Sequence, residues 1–187
     1  DMSKGAKGLS LFIVPKDSFG DEEKWEFKQE SGGVIQGTNN PTPGYRGMHS
    51  YTLAIEDIWV PHSNLVGEDE GLNKGFYLQM GGFAVGRLQT GGRAVGLAQA
   101  ALEKACNYVS EREQFKNKLS EYQLTQYKIG KMATLIAAAR HLTYAASREF
   151  HTRSVEAAMS KLLACDIAGD VTREALLLHG INARLLS

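Results

Sequence analysis

The sequence predicts an α+β protein in which short β-strands come first and long helices follow. In the first third, large apolar side chains alternate with polar ones between clusters of turn residues, which is typical of half-buried strands. From about Gly75 onward, apolar residues recur with the period of an amphipathic helix over three long stretches. Because long helices joined by short loops pack as neighbours, we expect a partial β domain followed by an antiparallel long-helix bundle.

The strand region contains four segments with different patterns. LSLFIVPKD (residues 9–17) is an apolar run that we interpret as a strand, and WEFKQES (residues 25–31) has the alternation of a half-buried strand. SGGVIQGTNNPTPGYRG (residues 31–47) is rich in glycine and proline and is predicted to be a long loop. Residues 51–67 are expected to form one or two strands that end before Pro61, since proline has no N–H to donate.

Three helices are predicted in the remainder. The first runs from Gly75 to Ser110, and the second begins at Ser120, where Gln123 completes a capping box. The third begins near Ser154 as its N-cap and ends at Gly180 as its C-cap. The apolar stripe predicted for the third helix comprises Val155, Ala158, Met159, Leu162, Ala168, Val171, Ala175 and Leu178.

A glycine-rich, charged stretch at residues 67–75 predicts a domain boundary, with a β domain over residues 1–70 and a truncated helical bundle over residues 71–187.

The overall composition excludes several classes of protein. The 21 Lys and Arg residues balance the 21 Asp and Glu residues, so no net field favours nucleic acid. No apolar run reaches the roughly 18 residues of a membrane span. Cys106 and Cys165 lack metal or redox spacing and are expected to be structural thiols in a reducing compartment.

Two features could bind a ligand. GGFAVG (residues 81–86) and GGRAVG (residues 91–96) do not match a nucleotide-binding motif, so their glycines indicate close approach by either a neighbouring helix or a ligand. The loop after the first helix carries Arg112, Gln114 and Phe115. An Arg fork suits a phosphate or pyrophosphate, and a Phe ring suits a flat ligand. The alternative is a solvated loop in which Phe115 folds back onto the protein.

The sequence contains no recognisable catalytic or metal-binding motif. None of the 5 histidines is spaced as a metal ligand, and no nucleophile elbow is present. Glu56 and Asp57 are adjacent on a predicted strand, so their carboxylates point to opposite faces and cannot share a reacting group. We therefore assign no catalytic residue and no metal site.

Several stretches, in order, resemble the acyl-CoA dehydrogenase family from about Gly8 to Gly180. They are GLSLFIVPKD, YTLAIEDIWVPHSNLVGEDEGLNKGFYLQM and the passage from VGRLQTGGRAVG through EREQFKNKLSEYQ. The resemblance implies the end of the family's middle β domain and most of its C-terminal helical bundle. Because the chain lacks a Met at position 1 and begins almost at once with a strand, we expect a piece of a longer protein.

The family's activity is implied with the resemblance. It is the FAD-dependent oxidation of an acyl-CoA thioester to the 2-enoyl-CoA, with electrons passing to an electron-transfer flavoprotein. The resemblance also implies homodimers or homotetramers in a bacterial cytoplasm or mitochondrial matrix, and no nucleic-acid partner. The residues assigned to FAD by motif match are Arg112 (at the pyrophosphate), Gln114, Phe115, Gln123 and Gly180. By the same match, Phe83 and Arg87 lie beside the acyl-binding cavity.

The chain departs from the family pattern at positions where cofactor-binding and catalytic residues are expected. Lys116 replaces a loop glycine, and the passage LLHGINAR (residues 177–184) keeps only Gly180 and Asn182 of the FAD-cradling motif. Some relatives carry the catalytic Glu one residue before the helix arginine, which is Gly86 here. We therefore expect the isolated chain to be inactive. The alternatives are a non-catalytic helical oligomerisation or interaction module, and a related flavoprotein of the acyl-CoA oxidase or nitroalkane oxidase type.

Overall fold

The computed structural model of the chain describes residues 2–18, 20, 22–44, 47–149 and 154–184. The chain divides into two units, Asp1–Gln79 and Met80–Ser187. The three-stranded sheet lies in the first unit, and the long helices make up most of the second. The predicted order of strands followed by helices is therefore confirmed.

Three antiparallel strands form the sheet of the first unit, in the order β1 (Lys24–Lys28), β2 (Val34–Asn40) and β3 (Ser50–Glu56). The prediction of a loop over residues 31–47 is wrong, because β2 lies within it. β2 is mostly polar after Val34 and Ile35, but it pairs with a neighbour along both edges, which satisfies its backbone hydrogen bonds. Its glycine lies opposite Trp25, whose ring occupies the space that a Cβ would need.

The prediction of a strand over residues 9–17 is also wrong. Phe12 forms an isolated bridge with Leu65 and belongs to no longer ladder among the described residues. The Val66 N–H donates to the Leu11 carbonyl at 2.9 Å, and this bond extends the short contact by one residue. The apolar run therefore pairs with the segment after β3 over too few residues to count as a strand.

The second unit is dominated by α1 (Gly75–Glu111), α2 (Gln123–Arg148) and α3 (Ser154–His179). The predicted capping box is wrong, because Ser120 lies in a 3₁₀ turn and α2 begins at Gln123 with no side-chain cap. The carbonyl of Ser120 instead accepts a hydrogen bond from the side chain of Gln126 at 3.0 Å. The side chain of Ser154 lies outside the described part of the chain, so its predicted capping role stays a prediction.

Side chains from all three helices form the core of the second unit, and most of them are small, which allows close helix approach. Its buried members are Ala94, Val95, Ala98, Leu102, Ala105, Met132, Ile136, Ala139, Ala164, Ile167, Ala168, Val171 and Ala175. The stripe predicted for α3 is correct in its second half and wrong in its first. There α3 buries Ala157, Ser160 and Ala164, whereas Leu162 is 66% exposed. Among the described residues, no helix has the length and apolar content to cross a bilayer.

The glycines of α1 differ in what surrounds them. A Cβ at Gly91 would lie 2.9 Å from the hydroxyl oxygen of Ser160 on α3, so Gly91 allows close helix packing. By contrast, a Cβ at Gly82, Gly86 or Gly92 would meet nothing within 4 Å. Close packing between helices therefore explains one member of the two glycine motifs and leaves the others facing open space.

Candidate functional site

The predicted cofactor loop is a short β-hairpin that continues directly from the end of α1. Its strands are β4 (Glu113–Gln114) and β5 (Asn117–Lys118), which pair antiparallel. The Arg112 N–H donates to the Tyr108 carbonyl at 2.9 Å, as in one more turn of helix, and the Leu119 N–H donates to the Arg112 carbonyl at 2.9 Å. These backbone bonds join the base of the hairpin to α1.

The two residues at the hairpin tip adopt left-handed backbone conformations. Phe115 has a φ of 53° and Lys116 a φ of 71°, which is the pattern of a type I′ turn. Such turns favour Asn and Gly, because a Cβ is strained in this region. The geometry gives a physical reason for the glycine that the resemblance noted above implies at the position of Lys116.

The hairpin presents its side chains to solvent. Phe115 is 90% exposed, so the alternative in which its ring folds back onto the protein is wrong. Arg112 and Gln114 are also exposed, and the guanidinium of Arg112 forms no ion pair or hydrogen bond with the described residues. An unpaired guanidinium at the base of the hairpin and an uncovered ring at its tip are suited to bind an anionic ligand with a flat ring system.

Gln123 lies close to the hairpin because Tyr122 connects the two. The Tyr122 hydroxyl donates to the Gln114 carbonyl at 2.7 Å, and Gln123 follows as the first residue of α2. The structure therefore brings Arg112, Gln114 and Gln123 into one local segment. Sequence reasoning missed Tyr122, although a tyrosine directly before a predicted helix start is a visible signal.

Gly180 ends α3 and is attached to the same region through Tyr108. Its φ of 58° is the left-handed conformation of a C-terminal glycine, as predicted. The ring of His179 stacks on Tyr108 with 4.4 Å between centroids. The Asn182 side-chain amide donates to the Tyr108 hydroxyl at 2.6 Å. Gly180 therefore lies in a turn whose two flanking side chains both contact the last turns of α1.

Phe83 and Arg87 form a second candidate cluster on α1. They are four residues apart and share one side of the helix. Phe83 is 48% exposed, and Arg87 is half-buried. At about 1.5 Å per residue, Arg87 lies about 36 Å from the end of α1 at Glu111. Within one chain, the structure does not bring this cluster to the hairpin.

The expected absence of a metal site stays a prediction. Over the part of the chain that the structure describes, no three His, Cys, Asp or Glu side chains form a group that could hold a metal ion. His151, one of the histidines considered above, lies outside that part. His62 and Asp69 form an exposed pair at 2.6 Å in the first unit. One His–Asp pair supplies too few ligands for a structural metal.

Family-model and sequence comparisons agree on one group of proteins. Residues 73–185 match the family model described as "Acyl-CoA dehydrogenase, C-terminal domain". The chain is 35% identical over 183 residues to the caffeyl-CoA reductase-Etf complex subunit CarC of Acetobacterium woodii, covering 96% of this chain and 44% of that protein. It is 36% identical over 184 residues to cyclohex-1-ene-1-carbonyl-CoA dehydrogenase of Syntrophus aciditrophicus, covering 96% of this chain and 41% of the relative.

Solved structures lead to the same group. Butyryl-CoA dehydrogenase from Megasphaera elsdenii has a TM-score of 0.83 at 30% identity, covering 99% of this chain and 45% of that one. The chain thus spans less than half the length of these relatives.

Proposed function

This chain belongs to the acyl-CoA dehydrogenase family, and on that basis we propose that it is part of a flavin-dependent enzyme acting on acyl-CoA thioesters. The proposed reaction is α,β-dehydrogenation to the 2-enoyl-CoA. FAD, when bound, supplies the hydride acceptor for this chemistry. We propose residues 1–70 as part of the middle β domain and residues 71–187 as part of the helical domain.

The hairpin after α1 is the observation that carries the proposal. Its exposed Arg112 has no partner among the described residues, and Phe115 is 90% exposed at the tip. In a bound state the guanidinium would contact a pyrophosphate through charge-assisted hydrogen bonds, and the phenyl ring would stack on a flat group. Gln114, Gln123 and Gly180 would complete this contact surface. The donors present therefore fit a dinucleotide such as FAD.

The distance along α1 supports an assembly of more than one chain. Phe83 and Arg87 are proposed to line the acyl cavity, about 36 Å from the hairpin end of the same helix. A single cofactor contacting both clusters of one chain would have to bridge that length. The proposal is therefore a homodimer or homotetramer in which the hairpin of one subunit contacts the FAD of another.

α1 supplies no general base next to Arg87, because Gly86 has no side chain. We propose that the base for removal of the α proton lies elsewhere in the enzyme. We expect the purified chain not to reduce an artificial electron acceptor when an acyl-CoA is added. Acyl-CoA-dependent reduction by this chain, lost on mutation of a residue within it, would contradict the expectation.

The proposed electron partner is an electron-transfer flavoprotein. One relative is named as a subunit of a reductase-Etf complex, and another is named a dehydrogenase. Bacterial cytoplasm is the proposed compartment, and a mitochondrial matrix is the alternative, since both are reducing. An oxidase-type relative would instead transfer electrons to oxygen, and oxygen consumption by the enzyme containing this chain would identify it.

A non-catalytic helical module is the second candidate function. It is favoured by Gly86 and by the turn after α3, where Ile181, 81% exposed, replaces a glycine of the FAD-cradling passage. Such a module would self-associate or bind a partner without flavin. A chain that takes up no FAD at any concentration tested would support this candidate.

FAD titration of the purified chain, followed by flavin fluorescence, tests the proposed function. Arg112→Met is expected to weaken FAD binding about tenfold or more, because it removes a charge-assisted contact. Phe115→Ala is expected to weaken binding through lost stacking. Arg148→Met, an exposed arginine at the end of α2, is the matched control and should bind as wild type. Equal affinity in all three variants would contradict the assignment of the hairpin.

A further inference from the structure

Tyr108 contacts both segments that are assigned to the cofactor. It lies in α1, one turn before Arg112, and its carbonyl accepts the Arg112 N–H at 2.9 Å. Its ring stacks on His179 at an interplanar angle of 25°, and its hydroxyl accepts from Asn182 at 2.6 Å. Tyr108 therefore contacts the hairpin through its backbone carbonyl, and it contacts the turn around Gly180 through its ring and its hydroxyl.

The turn is oriented by a second set of contacts. Nδ1 of His179 lies 2.7 Å from the carbonyl oxygen of Ala175. Because a carbonyl can only accept, Nδ1 must carry the proton, which fixes the tautomer and the ring plane. The left-handed Gly180 then reverses the chain, so that His179 and Asn182 reach the same tyrosine. The orientation of the turn thus depends on the position of Tyr108.

The hairpin depends on the same position. Arg112 follows Tyr108 by four residues, directly after the end of α1, and its N–H continues the helical hydrogen bonding to the Tyr108 carbonyl. The Leu119 N–H bonds to the Arg112 carbonyl at 2.9 Å and closes the hairpin base. A shift of Tyr108 would therefore move the base of the hairpin and the turn together.

We propose that Tyr108 is a positioning residue that holds the Arg112–Lys118 hairpin and the Gly180–Asn182 turn as one cofactor-binding edge. The inference rests on the proposed function, because it takes the hairpin to contact FAD. Tyr108 acts through its neighbours and not by touching the cofactor. Its hydroxyl, paired with Asn182, sets the distance between the two segments.

A double-mutant cycle on FAD affinity tests the pairing. Tyr108→Phe keeps the ring stack and removes the hydroxyl, and Asn182→Ala removes the donor. Each single variant is expected to bind FAD about 3- to 10-fold more weakly, which is the effect of one net hydrogen bond. The double variant should bind FAD no more weakly than whichever single variant has the lower affinity. Tyr144→Phe, an exposed tyrosine on α2, is the control and should bind as wild type. Additive losses, or no loss, would overturn the proposal.

Hydrogen–deuterium exchange decides the same question without FAD. In Tyr108→Phe and Asn182→Ala, amides of residues 112–119 should exchange faster, while amides in the middle of α2 should not change. Faster exchange confined to residues 180–184 would overturn the coupling. A wild-type chain that binds no FAD would contradict the proposed function for this chain and still leave the exchange result to decide the role of Tyr108.

Discussion

Gly91 packs directly against Ser160 of α3. Replacing Gly91 by alanine is therefore expected to lower the free energy of unfolding, whereas replacing the neighbouring Gly92 by alanine is not. The Cβ of an alanine would lie 2.9 Å from the Ser160 hydroxyl oxygen and 3.5 Å from the Ser160 carbonyl oxygen. Ser160 is 1% exposed, and its hydroxyl donates to Thr143 at 3.0 Å. Thr143 in turn donates to the Ala139 carbonyl at 2.8 Å. The hydroxyl therefore cannot rotate away without breaking a buried bond.

The expected magnitude follows from two opposing terms. Glycine to alanine in a helix interior stabilises by about 1 kcal/mol. Breaking the Ser160–Thr143 bond, or moving the helices apart, costs about 1–3 kcal/mol. At Gly92 the new Cβ would meet nothing within 4 Å, so only the favourable term applies. Gly91→Ala should therefore be less stable than Gly92→Ala by about 1–3 kcal/mol.

Urea unfolding followed by far-UV circular dichroism measures this difference. Both variants lose the same backbone freedom in the unfolded chain, so the comparison isolates the contact with α3. Ser160→Ala removes the hydroxyl, and adding it to Gly91→Ala should remove part of the steric cost. Equal free energies of unfolding for Gly91→Ala and Gly92→Ala would refute the packing described for α1 and α3.

Three further predictions concern the hairpin, the cysteines and the sheet. Lys116→Gly should raise the free energy of unfolding by about 0.5–1 kcal/mol, because it relieves a left-handed conformation, and Lys116→Ala should not. Burial, with a smaller effect of the Glu103 charge, raises the pKa of the Cys106 thiol. Iodoacetamide should therefore alkylate exposed Cys165 faster, as read by mass spectrometry, and denaturant should abolish the difference. In the folded state, hydrogen bonds from Lys28 and, to a smaller extent, from Gln36 lower the pKa of the Glu26 carboxyl. These bonds therefore stabilise the folded state at pH values above the unfolded pKa of about 4.3. Stability measured against pH should show wild type losing its advantage over Glu26→Ala as pH falls through the lowered pKa.

The sequence indicated which residues belong to the candidate site, but it did not predict their backbone conformations or the contacts between them. Arg112 and Phe115 stood out because a guanidinium and an aromatic ring interrupt a charged loop after a long helix. The left-handed backbone of Phe115 and Lys116 was not visible, because a type I′ turn is normally signalled by Asn and Gly. The contacts of Tyr108 with His179 and Asn182 were also missed, since they join residues distant in sequence.

The sequence by itself determined the three long helices, though not the start of α2, because a 3.6-residue period sustained over many turns is a local property. It also determined the left-handed end of α3 at Gly180, where glycine adopts positive φ without strain. Only the tertiary structure decided that the glycine-containing, mostly polar segment Val34–Asn40 forms a strand, since its pairing depends on neighbours on both sides. It also decided that α3 buries Ser160 and leaves Leu162 exposed, because close approach to Gly91 selects small side chains over large ones.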